Sequence, residues 1–238
     1  RVEADTCPTF TLSSRKTDMS ERICLDRPHL VAAGAAAALL PAFAQAQGKG
    51  GAPVELRDFR PVTPPQKVDG PKIEVLEFFQ YSCPHCFSFN TDLERWKKTL
   101  PADVEFKRVS INWDNATLNH TKTYYTLELM NRLDVHEKFF SAIHNGRRRM
   151  LDAGEIADFM ANNGIDKAKW TENFNSFAVN SRVNRAGQLW RAYKIDGTPA
   201  MAVDGKFMTA PSMVGSREGT LPVLDFLIAR ARTERGRK

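Results

Sequence analysis

Runs of apolar residues alternate between two periods along this chain, and the changes of period mark out its elements. Ile73 to Phe79 (IEVLEFF) is rich in branched and aromatic residues with few polar interruptions, which predicts a buried strand. A helix is expected from about Pro84 to Leu100, after which Pro101-Ala102-Asp103 turns the chain. Val104 to Trp113 (VEFKRVSINW) then reads as a second strand. A β-α-β start of this length implies parallel strands joined by a right-handed crossover. The next stretch has helical spacing and little strand character. Thr121 to Leu133 and His136 to Arg147 carry apolar residues at i, i+3 and i+4. Asp152 with Glu155 suggests a capping box for a helix ending near Asn163-Gly164; Asp166 can cap another, and Phe177 to Tyr193 makes a longer one. Sheet signals then return. Pro199 to Val203 and Lys206 to Thr209 flank Asp204-Gly205, a strong hairpin dipeptide, and Leu221 to Ala231 closes the pattern as an amphipathic helix.

Before the first strand the pattern is of another kind. Residues 1–18 show no apolar periodicity and are set aside as a non-structural N-terminal extension, with Met19 the first candidate start. From Met19 a stretch with Arg22 and Arg27 leads into Leu30 to Phe43 (LVAAGAAAALLPAF), followed by Ala-x-Ala options at Ala42-Phe43-Ala44 and Ala44-Gln45-Ala46. A charged lead, an apolar run and small residues at a cleavage point are the marks of a secretory signal peptide over 19–46, cut near residue 44 or 46. The apolar run is shorter than the ~20 residues a membrane span needs, and Pro41 breaks it. Residues 47–70 are rich in Gly and Pro and read as an exposed leader, with a short edge strand near Val54 to Leu56.

Composition sharpens two points. The 238-residue chain has a formal net charge of +6; five basic and five acidic residues cancel in 1–44, leaving 29 against 23 in the remainder. The basic clusters, Arg147-Arg148-Arg149 and the tail Arg230 to Lys238, lack the interleaved aromatics that stack bases. The surplus therefore reads as solvated surface, with no nucleic-acid partner. Of four cysteines, Cys7 and Cys24 fall in or before the expected signal, so the mature chain keeps only Cys83 and Cys86. A disulfide closing so short a loop constrains the unfolded chain little, which makes it a poor staple.

A redox-active pair explains these cysteines better. With Ser82 available as N-cap and Pro84 at the first helical position, Cys83 would sit at the positive end of a helix dipole, where a thiolate is favoured. Cys86 follows one turn later on the same face, close enough for a disulfide. A strand running into a helix that opens Cys-x-x-Cys is the layout of a thioredoxin-type site. Cys83 is then expected to be the exposed nucleophile and Cys86 the buried resolving thiol, with His85 adding an imidazolium or N–H donor beside the Cys83 sulfur. A zinc site would need further ligands, and His120, His136 and His144 offer no matching doublet, so no metal is expected. The order β-α-β, helical block, β-β-α predicts an α/β thioredoxin fold, residues 71–114 and 188–234, with an inserted helical domain at 115–187.

The stretch VLEFFQYSCPHCFSF, the later GTPAMAVDGKF and the helical block between them resemble the DsbA family of periplasmic disulfide oxidases. That resemblance implies an exported thiol:disulfide oxidoreductase of the periplasm, donating its Cys83–Cys86 disulfide to reduced or unfolded exported proteins through a mixed disulfide at Cys83. It also implies reoxidation by a DsbB-like, quinone-linked membrane oxidase, and no cofactor beyond the disulfide. With no dimerisation domain evident, a monomer is expected. Spacing alone allows Pro199 to be an ordinary edge-strand proline. The resemblance implies instead a cis-proline loop, Thr198-Pro199, facing the cysteines and pairing with substrate backbone, with Thr198 where the best-known member has Val. Glu77 is an acid inside an apolar strand, either partly exposed or, as the resemblance implies, buried near the resolving cysteine with Arg108 as its ion partner. Phe87, Phe89, Trp113, Trp170, Phe174 and Trp190 are read as core more than groove. Two rival readings remain: a reductase or isomerase running the other way, and a non-catalytic, chaperone-like binding module.

Overall fold

The computed structural model describes residues 51–236; the expected N-terminal extension and signal segment lie outside the described residues. The sheet is built around strand β2 (Ile73–Phe79), which pairs in parallel with β3 (Val104–Ser110), from Ile73 opposite Val104 to Phe79 opposite Ser110. On its other side β2 pairs antiparallel with β4 (Ala200–Val203), which pairs antiparallel with β5 (Phe207–Thr209). A two-residue strand β1 (Arg60–Pro61) completes the order β1-β5-β4-β2-β3. Helix α1 (Pro84–Lys97) makes the crossover from β2 to β3. Helices α2 (Leu118–Leu129), α3 (His136–His144), α4 (Ala153–Asn162), α5 (Lys167–Phe174) and α6 (Phe177–Ala192) then intervene before β4. A short α7 (Pro211–Val214) and the long α8 (Arg217–Glu234) follow β5.

The two-residue period of the strands separates two apolar cores. Ile73 and Val75 of β2, with Met201 and Val203 of β4, pack against Phe89, Leu93 and Trp96 of α1 and Leu224 and Leu227 of α8. Leu76 and Phe78, with Ala200 and Ala202, pack against the helices inserted between β3 and β4. Glu77 follows the Ile73–Val75 parity and so lies under α1, as Arg108 does by the parity of Val104 and Phe106. Phe79 departs from the alternation expected of it. At the strand's end it turns into the helical core, edge-to-face with Tyr81 and Tyr124 at 5.3 and 5.2 Å.

Caps decide most boundaries. Asp152 Oδ1 accepts the Glu155 N–H at 2.9 Å, Asp166 Oδ1 the Lys169 N–H at 2.8 Å, and Ser176 Oγ the Val179 N–H at 3.2 Å, starting α4, α5 and α6. The hairpin turn has left-handed φ at Asp204 (55°) and Gly205 (67°), as a type I′ turn requires. A Cβ on residue 205 would come within 2.0 Å of the Gln66 carbonyl oxygen, so close approach also demands glycine there.

Three expectations need correcting. The leader is not simply exposed. Phe59 and Val62 are buried, Val62 N–H donates to Lys206 O at 2.7 Å, and Gln66 N–H donates to Gly205 O at 2.8 Å. These bonds complete the open edge of the hairpin, and the two side chains remain in the core. The edge strand falls at Arg60–Pro61, not Val54–Leu56, because Asp58 accepts the Val54 N–H at 2.8 Å and closes a turn there. The domain boundary expected after residue 187 falls inside α6, which runs unbroken through Gly187 because Ser176 caps it and no proline interrupts it.

Candidate active site

Strand β2 delivers the chain to Gln80, whose carbonyl accepts the Cys83 N–H at 3.2 Å. The N-cap of α1 is Cys83 itself (φ −83°, ψ 115°), not Ser82. Its Sγ takes the place a serine or aspartate oxygen usually fills, accepting the Cys86 N–H at 3.4 Å. Pro84 then occupies the first turn, where its missing N–H costs nothing. The cap thus aims the helix N–H groups at one sulfur.

Several groups act on that sulfur. The hydrogen bond from the Cys86 thiol is the strongest. It outweighs the half-burial of Cys83, and the Thr198 side chain and the backbone N–H groups of Cys86 and His85 add to it. Together they lower the Cys83 pKa from 9.0 to about 5. In the thiol form Sγ donates to the Thr198 carbonyl at 3.3 Å, so the cis Thr198–Pro199 peptide adjoins the reactive cysteine. Cys86 is driven the other way. It is fully buried, and burial, followed by the hydrogen bond and charge of Cys83 and by the charge of Glu77, raises its pKa well above 9.0. Both cysteines are free thiols here, a reduced pair divided into an ionisable sulfur and one that keeps its proton. Titration of thiolate absorbance should show Cys83 ionising near pH 5, with Cys86 still a thiol at neutral pH. A Cys83 midpoint at the ordinary ~8.5 would contradict this arrangement.

His85 differs from expectation. Its side chain is exposed and, among the described residues, its ring makes no hydrogen bond; the backbone N–H is what reaches the Cys83 sulfur. At the first turn of a helix the side chains splay outward while the N–H groups converge. The ring instead borders a groove of about 800 Å³ that runs past Thr198, Pro199, Met208 and Met213 to Arg60 and Arg217. One wall is α7, which the sequence reading missed although Ala210-Pro211 carries the helix-opening proline signal.

Glu77 is 2% exposed, and its Oε2 accepts from Arg108 Nε at 2.7 Å. Burial raises its pKa by more than Arg108 lowers it. Arg108 also donates to Asn90 Oδ1 at 2.9 Å and Glu94 Oε1 at 2.7 Å, two partners that the sequence reading did not name. Their i, i+4 spacing on α1 was the available signal.

The other histidines among the described residues serve packing. His120 Nε2 lies 3.0 Å from the carbonyls of Arg149 and Met150, His136 Nδ1 2.7 Å from the Tyr81 hydroxyl, and His144 Nε2 2.8 Å from the Tyr81 carbonyl. Among the described residues no cluster of three or more His, Cys, Asp or Glu could hold a metal, and no helix is long and apolar enough to cross a membrane. The aromatics divide. Phe89, Trp170 and Phe174 are core, Phe87 and Trp190 are half-buried, and Trp113 is 43% exposed in an edge-to-face pair with Trp190.

Comparison with known proteins bears on these features. Residues 89–217 match the family model of the DSBA-like thioredoxin domain. The thiol:disulfide interchange protein DsbA of Bordetella parapertussis is 43% identical over 203 residues, covering 84% of this chain and 94% of that protein. The protein of the same name from Pseudomonas aeruginosa is 38% identical over 180 residues, covering 75% and 83%. The crystal structure of Pseudomonas aeruginosa DsbA is similar with a TM-score of 0.74 at 35% identity, over 77% of this chain and 97% of that one.

Proposed function

The chain belongs to the DsbA family of thioredoxin-fold proteins, and we propose that it oxidises dithiols of exported proteins with its Cys83–Cys86 disulfide. Thiol:disulfide interchange is the activity its relatives are named for, and this chain is a thiol:disulfide oxidoreductase. The direction of transfer rests on one observation: Cys83 is the N-cap of α1 and its Sγ accepts the Cys86 N–H at 3.4 Å, a setting that favours its thiolate and lowers its pKa to about 5. Each pH unit by which this pKa lies below ambient pH stabilises the dithiol state by ~1.4 kcal/mol, or ~30 mV for two electrons. A stabilised dithiol makes the disulfide the stronger oxidant.

The steps follow from that asymmetry. A substrate thiolate attacks Cys83 Sγ of the disulfide. The Cys83–Cys86 bond breaks, a Cys83–substrate bond forms, and Cys86 leaves as a thiolate that takes up a proton in its buried site. A second substrate thiolate attacks the substrate sulfur of the mixed disulfide, and Cys83 leaves as the stabilised thiolate. Two electrons pass from the substrate dithiol to the cysteine pair, and of the two substrate protons one ends on Cys86 and one in solvent. The groove between Thr198-Pro199, β5 and α7 is suited to the substrate chain, and the buried carboxyl of Glu77 to moving the Cys86 proton. Pro84 and His85 complete the helix opening that presents Cys83. For reoxidation we propose a quinone-linked membrane oxidase of the DsbB type, with the protein acting in the periplasm.

Equilibration with glutathione redox buffers tests the direction. At pH 7 the thiolate advantage amounts to some tens of mV, discounted for the partial exposure of the sulfur. The disulfide should accordingly be less stable than a thioredoxin disulfide. Because the folded-state pKa is depressed, the advantage is complete above the ordinary thiol pKa of ~8.5 and is lost as pH falls toward about 5. A disulfide as stable as that of a thioredoxin would reverse the reading and make the protein a reductant.

A further inference from the structure

Arg108 is one cation held between two acids that arrive from different elements. Glu77 on β2 takes its Nε, while Glu94 on α1 takes a terminal guanidinium nitrogen, both at 2.7 Å. The two acids are not equivalent. Glu77 is 2% exposed, with Arg108 as its ion partner. The Glu94 side chain is 29% exposed and also binds Lys97 Nζ at 2.9 and 3.1 Å. Asn90 contributes a neutral contact, accepting from Arg108 at 2.9 Å and donating to Glu137 Oε1 on α3 at 3.3 Å. Lys97 is a second cation for Glu94, so the cost of sharing Arg108 falls on Glu77, the acid in the drier site.

We propose that Glu94 is a positioning residue for the exchange reaction: by sharing the Arg108 cation, it leaves the buried carboxyl of Glu77 able to hold the proton that Cys86 exchanges. The inference rests on the proton role proposed above for Glu77. The electrostatics run in the same direction. Partial burial pushes Glu94 up, but Lys97 and Arg108 together hold it below the usual carboxylate value, so it is anionic at neutral pH. Burial raises Glu77, Arg108 and then Lys97 oppose that rise, and the charge of Glu94 adds to it. The groups facing this pair are few. They are Arg108 from β3; Glu94, Lys97 and Cys86 from α1; and Tyr124 from α2, which senses the charge of Glu77. Glu137 and His136 of α3, and Tyr81 between β2 and α1, face the arginine side. Strand β4 sets Met201 opposite Glu77, and α8 brings Leu224 and Leu227 to this core, all without charge.

The test is a carboxyl-carbon NMR titration of Glu77 in the reduced protein, comparing the natural chain with Glu94→Gln. Glutamine keeps an oxygen for Arg108 and removes only the charge, so the fold should hold. With Arg108 no longer shared and the charge of Glu94 removed, the Glu77 midpoint should fall. The pH profile for resolution of a mixed disulfide by Cys86 should move with it, and in a Glu77→Gln background Glu94→Gln should leave that profile unchanged. An unmoved Glu77 midpoint would overturn the proposal at Glu94. If Glu77→Gln alone leaves the profile unchanged, the proposal falls through Glu77 instead, whatever the Glu94 titration shows.

Discussion

Replacing Cys83 with serine is expected to abolish disulfide transfer, a loss of at least ~10³-fold in the rate of dithiol oxidation, with the fold retained. The structure separates these two consequences. As N-cap, residue 83 accepts the Cys86 N–H, and a serine hydroxyl does this at least as well as sulfur. What serine cannot supply is a sulfur for the mixed disulfide, or a leaving group ionised at about 5. The companion variant Cys86→Ala removes the buried resolving thiol and keeps the half-buried one. Given glutathione disulfide, its Cys83 thiolate should attack one sulfur, release the other glutathione as a thiolate and hold the first as a mixed disulfide, visible as a mass increase that reductant reverses. Dithiol oxidation by Cys83→Ser within tenfold of the natural chain would show that the reactive sulfur lies elsewhere, and Cys86 is too buried to take over.

The second large effect is on stability. Arg108→Met leaves Glu77 without its ion pair at 2% exposure and takes hydrogen-bond partners from Asn90 and Glu94. Removing one partner of a buried pair costs about 3–5 kcal/mol, because the other charge stays in a site that cannot solvate it. Its pH dependence identifies the cause. The folded-state pKa of Glu77 is already raised by burial, and losing Arg108 raises it further. A raised acid pKa means the folded state binds the proton more tightly than the unfolded chain, so the penalty is full where the folded carboxyl would be charged and is relieved as pH falls. Denaturant unfolding should therefore show the largest deficit at mildly alkaline pH and a smaller one near pH 5. A deficit that does not change with pH would point to lost packing around Phe106, over whose ring the guanidinium lies at 5.4 Å.

Much of this site could be read from local pattern. The IEVLEFF run gave strand β2 to the residue, and Cys-Pro-His-Cys behind it gave the helix start and the unequal cysteines. Asp-Gly gave the hairpin turn, and Asp152 and Asp166 gave two helix caps. These signals act within a few residues, where propensity, capping geometry and dihedral limits operate, so the chain carries them without its fold. The misreadings have the opposite character. Ser82 has the better capping side chain, but α1 begins at Pro84, which makes Cys83 the N-cap. The leader looked exposed because its partners, Lys206 and Gly205, lie some 140 residues away in sequence.

Sequence alone determined the placing of Cys83 and Cys86 one turn apart at a helix start, the period of each main element and the class of fold, because these follow from spacing along one chain. Tertiary structure decided which groups meet the Cys83 sulfur and which acids share one counterion. Thr198 reaches Cys83 across 115 positions, and Arg108 is divided between acids 31 and 14 positions away. Through-space electrostatics depends on distance and burial, and neither is defined until the strands are in register and the helices lie on the sheet.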